Sequence, residues 1–226
     1  LKGERIIAKI KYWGHACFLI TTTEGLRILV DPYEAGAFGG AIGYAPVTDE
    51  ADVVLVTHEH GDHNYVAGLP GNPLVLRANG VVHGVSFVVL TALHGKPGGQ
   101  DRGENRVFTW EADGVRFCHA GDLGHLFSEE QVKLLGPVDV LFLPVGGFFT
   151  IDAATAHEVA EQLQARVIIP MHYKTAWLNF PPNMPLGTEE EFVAGQPHVM
   201  RVGAPTWEVS GDSLPAEPTI VVLDAV

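Results

Sequence analysis

Cysteine is nearly missing from this chain: Cys17 and Cys118 are the only two in 226 residues. Two thiols so far apart exclude a disulfide framework and a thiolate zinc finger. Each sits in an apolar, strand-like run, where a buried free thiol is expected. Bases are scarce as well. Fourteen Lys and Arg against 27 Asp and Glu leave a formal net charge of −13. That balance repels a polyanion and supplies no counterion release, so nucleic acid is not expected as a partner. No apolar run reaches membrane-spanning length, and the N-terminus has no signal-peptide h-region. The chain opens on Leu1 rather than methionine, which suggests processing or trimming. A cytoplasmic location without membrane attachment is the expectation. No low-complexity linker, clear repeat, Gly-x-Ser-x-Gly elbow or nucleophilic cysteine motif is present. The remaining composition, 46% hydrophobic and 18% charged, suits one globular domain over 1–226 with a sizeable core.

Against these absences stands one dense motif, His58-Glu59-His60-Gly61-Asp62-His63. It follows 52–57, a short apolar run rich in β-branched residues that reads as a buried strand. A strand ending in such a loop gathers its side chains at a sheet edge. Imidazole and carboxylate without thiolate suit zinc, manganese or iron rather than copper(I) or an iron–sulfur cluster. The alternative is a polar surface loop in a chain with 11 histidines. It leaves unexplained why three of them share one turn with an aspartate.

The N-terminal third reads as strands at 6–10, 16–21 and 27–30. Further strands are expected at 73–77, 85–93, 106–111, 115–119, 138–145 and 166–170, with two closing strands in 199–225. Asp113-Gly114 is a tight-hairpin signal between 106–111 and 115–119. Ser128 opens a capping box for a helix closed by Gly136-Pro137. Asp152 caps a helix to about 164, and Thr188 begins a second capping box before a short helix ending at Gly195. Strands interleaved with helices imply α/β layers with mixed strand directions.

Ligand-type residues recur where strands end. The run 52–57 delivers His58, His60, Asp62 and His63; 85–93 delivers His94; 115–119 delivers Asp122; 166–170 delivers His172. Strands that point the same way would bring these ends together. The resulting seven N/O ligands suffice for two metal ions sharing a bridging carboxylate.

With these residues in view, the chain resembles the metallo-β-lactamase superfamily, whose hallmark is His-x-His-x-Asp-His. It is most similar to the small bacterial zinc-dependent hydrolases related to the ascorbate-6-phosphate lactonases. The resemblance covers nearly the whole chain. Besides the hallmark it rests on Trp13-Gly14-His15-Ala16-Cys17-Phe18, Val30-Asp31-Pro32, His119-Ala120-Gly121-Asp122, Leu143-Pro144-Val145-Gly146-Gly147 and Pro170-Met171-His172-Tyr173. The implied fold is a four-layer αβ/βα sandwich with mixed sheets and a dinuclear site at one edge. The resemblance implies that His58, His60 and His94 hold one ion. Asp62, His63 and His172 would hold the other, with Asp122 bridging. His83 and His119 are alternatives to His94, which the flanking Leu93 and Gly95 favour. Asp31 is expected to orient a ligand imidazole. His15 reads equally as a satisfied buried histidine or a pocket residue, and His125 as a pocket residue. His119 reads as structural, and His157 and His198 as plain surface residues. Arg102 and Lys174 are candidates for holding an anionic substrate.

Two divalent ions, zinc foremost with manganese or iron as alternatives, would generate a bound hydroxide that attacks a carbonyl or phosphoryl centre, with Asp62 orienting it. The expected enzyme is a metal-dependent hydrolase of a small ester, lactone or phosphoester, with an anionic substrate favoured. The superfamily's di-iron oxidoreductases carry glutamate at the second hallmark position, where this chain has His60. β-Lactams are disfavoured by the bridging-aspartate pattern. Competing readings on the same fold are a metal-binding sensor without turnover and a di-iron redox protein.

Overall fold

The protein is described by a computed structural model over residues 7–94 and 102–226. Ile6 and Gly95 lie outside the described residues. The first half of the chain builds β1 (Ala8–Gly14), β2 (Cys17–Thr21), β3 (Arg27–Val30), the irregular turn α1 (Ala37–Gly40), β4 (Val53–Leu55) and β5 (Leu74–Leu76). There follow β6 (Gly80–Val82), β7 (Val85–Leu93), β8 (Glu104–Ala112), β9 (Val115–His119), α2 (Glu129–Leu135), β10 (Val140–Pro144), α3 (Ala153–Gln162) and β11 (Val167–Met171). The chain closes with α4 (Glu189–Val193), β12 (Val199–Arg201), β13 (Thr206–Val209) and β14 (Thr219–Val222).

These strands form two mixed sheets, ordered β13-β1-β2-β3-β4-β5 and β12-β14-β11-β10-β9-β8-β7-β6. The sheets face each other across an aromatic-rich core. Phe18 of the first sheet meets Phe142 of the second with ring centroids 4.5 Å apart, and Phe142 stacks on Phe117, which stacks on Trp110. Strand alternation supplies this core: Phe108, Trp110 and Ala112 of β8 point inward, while Val107, just before them, faces the opposite layer. β10 and β11 are buried along their whole length, as parallel strands covered on both faces must be. On the outside of the second sheet, Ala156 and Val159 of α3 and Phe192 of α4 pack against Leu141, Leu143 and Ile168. The outer face of the first sheet is covered by irregular chain, with Tyr33, Ile42, Tyr44 and Leu178 packed against Leu29 and Val54.

The helix ends follow their sequence signals. Ser128 accepts a hydrogen bond from the Gln131 N–H and Asp152 one from the Thr155 N–H, and Asp113-Gly114 turns β8 into β9 with both residues left-handed. Two expectations need correction. The chain forms an additional strand, β6, joined to β7 by a second left-handed pair, His83-Gly84; its three residues are too short for a periodic signal. The closing segment holds three strands rather than two. A break at 203–205 lets β13 cross to the first sheet and pair with β1, while β12 and β14 stay in the second. Only the pairing partner separates these short strands, and that is a tertiary fact.

Direction matters most for the site. β7 and β9 are both antiparallel to β8, and β10 and β11 run parallel to β9, so β7, β9, β10 and β11 end at one edge. No described helix is long and apolar enough to cross a membrane. Truncating the inter-sheet contact through Phe142→Ala should cost about 3–5 kcal/mol. A urea titration checks it: the midpoint should fall with an unchanged slope.

Candidate metal centre

β4 runs into the hallmark loop through Thr57, and that threonine is wired to the end of β3. The carboxylate of Asp31 accepts the Thr57 N–H at 2.8 Å and the Thr57 hydroxyl at 2.6 Å. It also accepts from His63 Nδ1 at 2.9 Å. Because the Thr57 hydroxyl donates to Asp31, its oxygen accepts from His58 Nδ1, 2.9 Å away. Both imidazoles therefore donate from Nδ1 and turn Nε2 inward. Glu59 points the other way, pairing with Arg77 at 2.9 Å and Arg106 at 3.4 Å.

The second sheet brings the remaining groups. His94 caps β7 and makes a β-bridge with Leu123, beside Asp122. Asn105 of β8 donates to the Ala120 carbonyl and accepts the Asp122 N–H at 2.9 Å, fixing the turn that carries Asp122. Gly121 has φ +55°, and a Cβ there would lie 2.2 Å from Asn105 Oδ1 and 2.8 Å from Thr57 Cβ; only glycine fits. His172 follows β11, and its N–H donates to the His15 carbonyl at 3.0 Å. His15 is reached through Gly14, whose φ of +111° and missing Cβ make room for the Tyr44 ring.

The outcome is two adjoining groups. His58, His60 and His94 form one; Asp62, His63 and His172, joined by His15, form the other. Asp122 lies between them. Its Oδ2 is 3.2 Å from His94 Nε2, 3.3 Å from His172 Nε2 and 3.8 Å from His58 Nε2, and its Oδ1 is 3.3 Å from His63 Nε2. Yet Nε2 of His58, His63 and His94, and Oδ1 of Asp122, are buried without a hydrogen-bond partner. Such orphans are costly unless something else takes their lone pairs. Ligands at 2.0–2.1 Å around a tetrahedral ion are about 3.3 Å apart, close to the distances from Asp122 to His63, His94 and His172. Nitrogen and oxygen donors with no sulfur suit zinc, manganese or iron. The residues fit a bound metal. Asp31 also lies near His58 and His63, but its oxygens are already engaged by Thr57 and His63, so it supports ligands rather than competing with them.

Electrostatics agree. Burial, reinforced by neighbouring imidazoles, pushes His58 down to about 3 and His15 down to about 4, and burial lowers His60 as well. These rings are neutral, as ligands must be. Burial opposes ionisation of Asp62, Asp122 and Asp31, but nearby histidines outweigh it and hold all three below the usual carboxylate range. His63 is the exception. Burial lowers it, but Asp122, Asp62 and Asp31 together push it up to about 10. Without an ion, Nε2 of His63 holds a second proton at the point where three carboxylates call for positive charge, and a bound metal would take that proton's place.

The other expected residues divide. His15 is fully buried and donates from Nε2 to Asp62 Oδ2 at 3.0 Å. Arg102 lines the cleft above the centre, its guanidinium 4.7 Å from the centroid of Phe149. His125 and Lys174 do not line it. Both His125 ring nitrogens are used on backbone, accepting the Leu93 N–H and donating to the Leu126 carbonyl. Lys174 is exposed, its backbone tied to Gly187. His119 is structural: it reaches the Ala16 carbonyl at 2.9 Å. His198 is exposed. His157 is no plain surface residue, since it is half-buried, bonds the Phe192 carbonyl and stacks on that ring at 4.3 Å. Sequence reasoning missed Thr57 and Asn105. Their position beside ligand-bearing turns was the available signal.

A sandwich of two mixed sheets with a histidine–aspartate centre at the strand ends defines a metallo-β-lactamase-type metal-dependent hydrolase. The β-lactamase superfamily domain model matches residues 9–172. A UPF0173 metal-dependent hydrolase of Thermococcus kodakarensis is 32% identical over 197 residues, spanning 75% of this chain and 86% of that protein. A crystal structure from Thermotoga maritima, assigned as a Zn-dependent hydrolase of the metallo-β-lactamase superfamily, superposes with a TM-score of 0.78. It is 36% identical and covers 97% of this chain and 100% of that one. The chain belongs to the metallo-β-lactamase superfamily and, within it, to the UPF0173 metal-dependent hydrolases. CmlA, a diiron β-hydroxylase from Streptomyces venezuelae, shares the fold alone, with a TM-score of 0.57 and 16% identity over 79% of this chain and 48% of that one.

Replacing Thr57 by valine keeps its shape but removes the hydroxyl that sets the His58 tautomer. Thr57→Val should stay folded and bind zinc about 10–100-fold more weakly in competition with a chromophoric chelator. Unchanged affinity would show that the Asp31–Thr57 relay does not orient the ligand.

Proposed function

We propose that the chain hydrolyses a small ester, lactone or phosphoester using two divalent ions, zinc foremost with manganese or iron as alternatives. The observation that carries this is the placement of Asp122 between His58, His60 and His94 on one side and Asp62, His63 and His172 on the other, with Nε2 of His58, His63 and His94 buried and unpartnered. His58, His60 and His94 would hold one ion and Asp62, His63 and His172 the other, with Asp122 serving both. When bound, the ions would supply Lewis acidity and a water whose pKa falls from about 16 toward 7.

The chain's own residues do the rest. The His15 N–H holds Asp62 Oδ2, so this carboxylate has a defined orientation. Kept ionised by His63 and His15 against the opposing effect of burial, Asp62 is ready to accept a hydrogen bond from the attacking water and steer it. His60, the exposed member of its group, meets the substrate as it enters. Phe149, Phe180 and Met184 border the opening and limit access of bulk water. An open cleft above the centre supports turnover over a sensor's sealed site.

Asp122→Ala should fold and retain well under the wild-type metal content by elemental analysis; unchanged stoichiometry would sink its role between the ions. His157→Ala, on the far α3–α4 contact, should lower stability while leaving metal content and turnover alone. Turnover of a lactone or a phosphodiester that a chelator abolishes, and that zinc restores, is the expected behaviour. Oxygen consumption by the iron-loaded protein, with no hydrolysis under any of the three ions, would favour redox chemistry instead.

A further inference from the structure

The cleft above the centre has a volume of about 400 Å³, at the small end for ligand sites. Its floor is the histidine–aspartate cluster. Its walls are Phe38, Ala41, Phe149, Phe180, Pro181 and Met184. Among the described residues that line it there is no Ser, Thr, Asn, Gln or Tyr, and Arg102 is the only Arg or Lys. A hydroxylated substrate such as a sugar lactone would set the hydroxyls that face these walls against carbon, where they find no partner.

The aromatic wall is built, not incidental. Phe149 contacts Phe148 edge-on at 4.7 Å, Phe180 at 5.3 Å and the His172 ring at 6.2 Å. Phe38 and Phe148 both hold left-handed backbone, with φ of 53° and 55°, a conformation costing about 1–2 kcal/mol for a non-glycine residue. His15, Asp31 and His172 share that conformation, so strain gathers around the centre as it does at functional sites. The three remaining cases lie elsewhere: His83 and Asp113 in hairpin turns and Gln164 just after α3. Phe38 stands 58% exposed at the mouth, over Gly61 of the hallmark loop. A large apolar ring held open to solvent in a strained backbone marks a contact surface.

Arg102 adds charge to this apolar setting. Its guanidinium lies over Phe149 at 4.7 Å, and no described carboxylate pairs with it. The stacked, planar group keeps its donors available for an anion.

Resting on the hydrolase reading above, we propose that the substrate is an ester or lactone whose non-reacting part is an apolar chain or ring, ending in one anionic group held by Arg102. The apolar part lies along Phe149, Phe180 and Met184, and the scissile carbonyl reaches the floor. Hydrolysis adds water across the acyl–oxygen bond, giving a carboxylate and an alcohol.

Binding separates this inference from the hydrolase reading. Three six-carbon amides that resist hydrolysis serve as probes in calorimetric titrations of zinc-loaded protein: hexanamide, adipic monoamide and gluconamide. Adipic monoamide should bind about tenfold more tightly than hexanamide, and gluconamide most weakly. Arg102→Gln should collapse the first difference. Phe180→Ser should weaken both apolar probes and leave gluconamide unchanged. Gluconamide binding as tightly as hexanamide, or a carboxylate preference that survives Arg102→Gln, would overturn the proposal. Aryl esters of the same acids then test turnover. The expected order of kcat/KM follows the binding order. Binding in the expected order with no turnover of any ester upholds the substrate class and overturns the hydrolase reading.

Discussion

The buried carboxylate of Asp31 is the constraint around which the centre is arranged. It accepts from the Thr57 backbone, the Thr57 hydroxyl and the His63 ring at once, and through that hydroxyl it also sets the proton of His58. One anion thereby holds the ends of β3 and β4 together and leaves Nε2 of two imidazoles buried and unpartnered at the centre. A charge removed from water is costly unless hydrogen-bonded and paired. Here the Thr57 N–H, the Thr57 hydroxyl and His63 Nδ1 together meet that need.

From this anchor the centre extends across the sandwich. The Arg106 N–H of β8 donates to the Thr57 carbonyl at 2.9 Å, so the hallmark loop is bound to the opposite sheet where Asn105 fixes Asp122. Gly121 lets those two layers touch. Three carboxylates then share a small volume with mostly neutral histidines, and the local excess of negative charge is what a divalent ion offsets. Phe142, stacked on Phe117 within its own sheet and tilted against Phe18 of the other, fills the space between the two sheets that carry the halves of the centre.

The floor and the walls of the cleft have different origins. The floor comes from strand ends, rigid elements suited to holding ligands within tenths of an ångström. The walls come from loops, with Phe38 from the turn after β3, Phe149 from the β10–α3 connection, and Phe180 and Met184 from the chain between β11 and α4. Loop-borne walls on a strand-borne floor allow one chemistry to serve different substrates. CmlA, a diiron β-hydroxylase, shares this fold over 48% of its length, and a shared fold does not by itself fix the chemistry.

Much of this was legible before any coordinates. The hallmark spacing, the apolar runs leading into His58, His94, Asp122 and His172, and the caps at Ser128 and Asp152 are local patterns, and local patterns survive in a linear reading. The partner of His15, the relay through Thr57, the support by Asn105 and the diversion of His125 to backbone were not legible. Each depends on which atoms meet across the sandwich, and sequence spacing carries no such information. Sequence by itself determined the donor chemistry, nitrogen and oxygen without sulfur, and the strand ends that would carry it, because both follow from residue type and period. Only the tertiary structure decided that these ends meet at one edge, that Asp122 falls between two groups of histidines, and that the described walls of the cleft above them are apolar with Arg102 at their side. Those outcomes rest on strand direction, sheet pairing and loop packing between residues far apart in the chain.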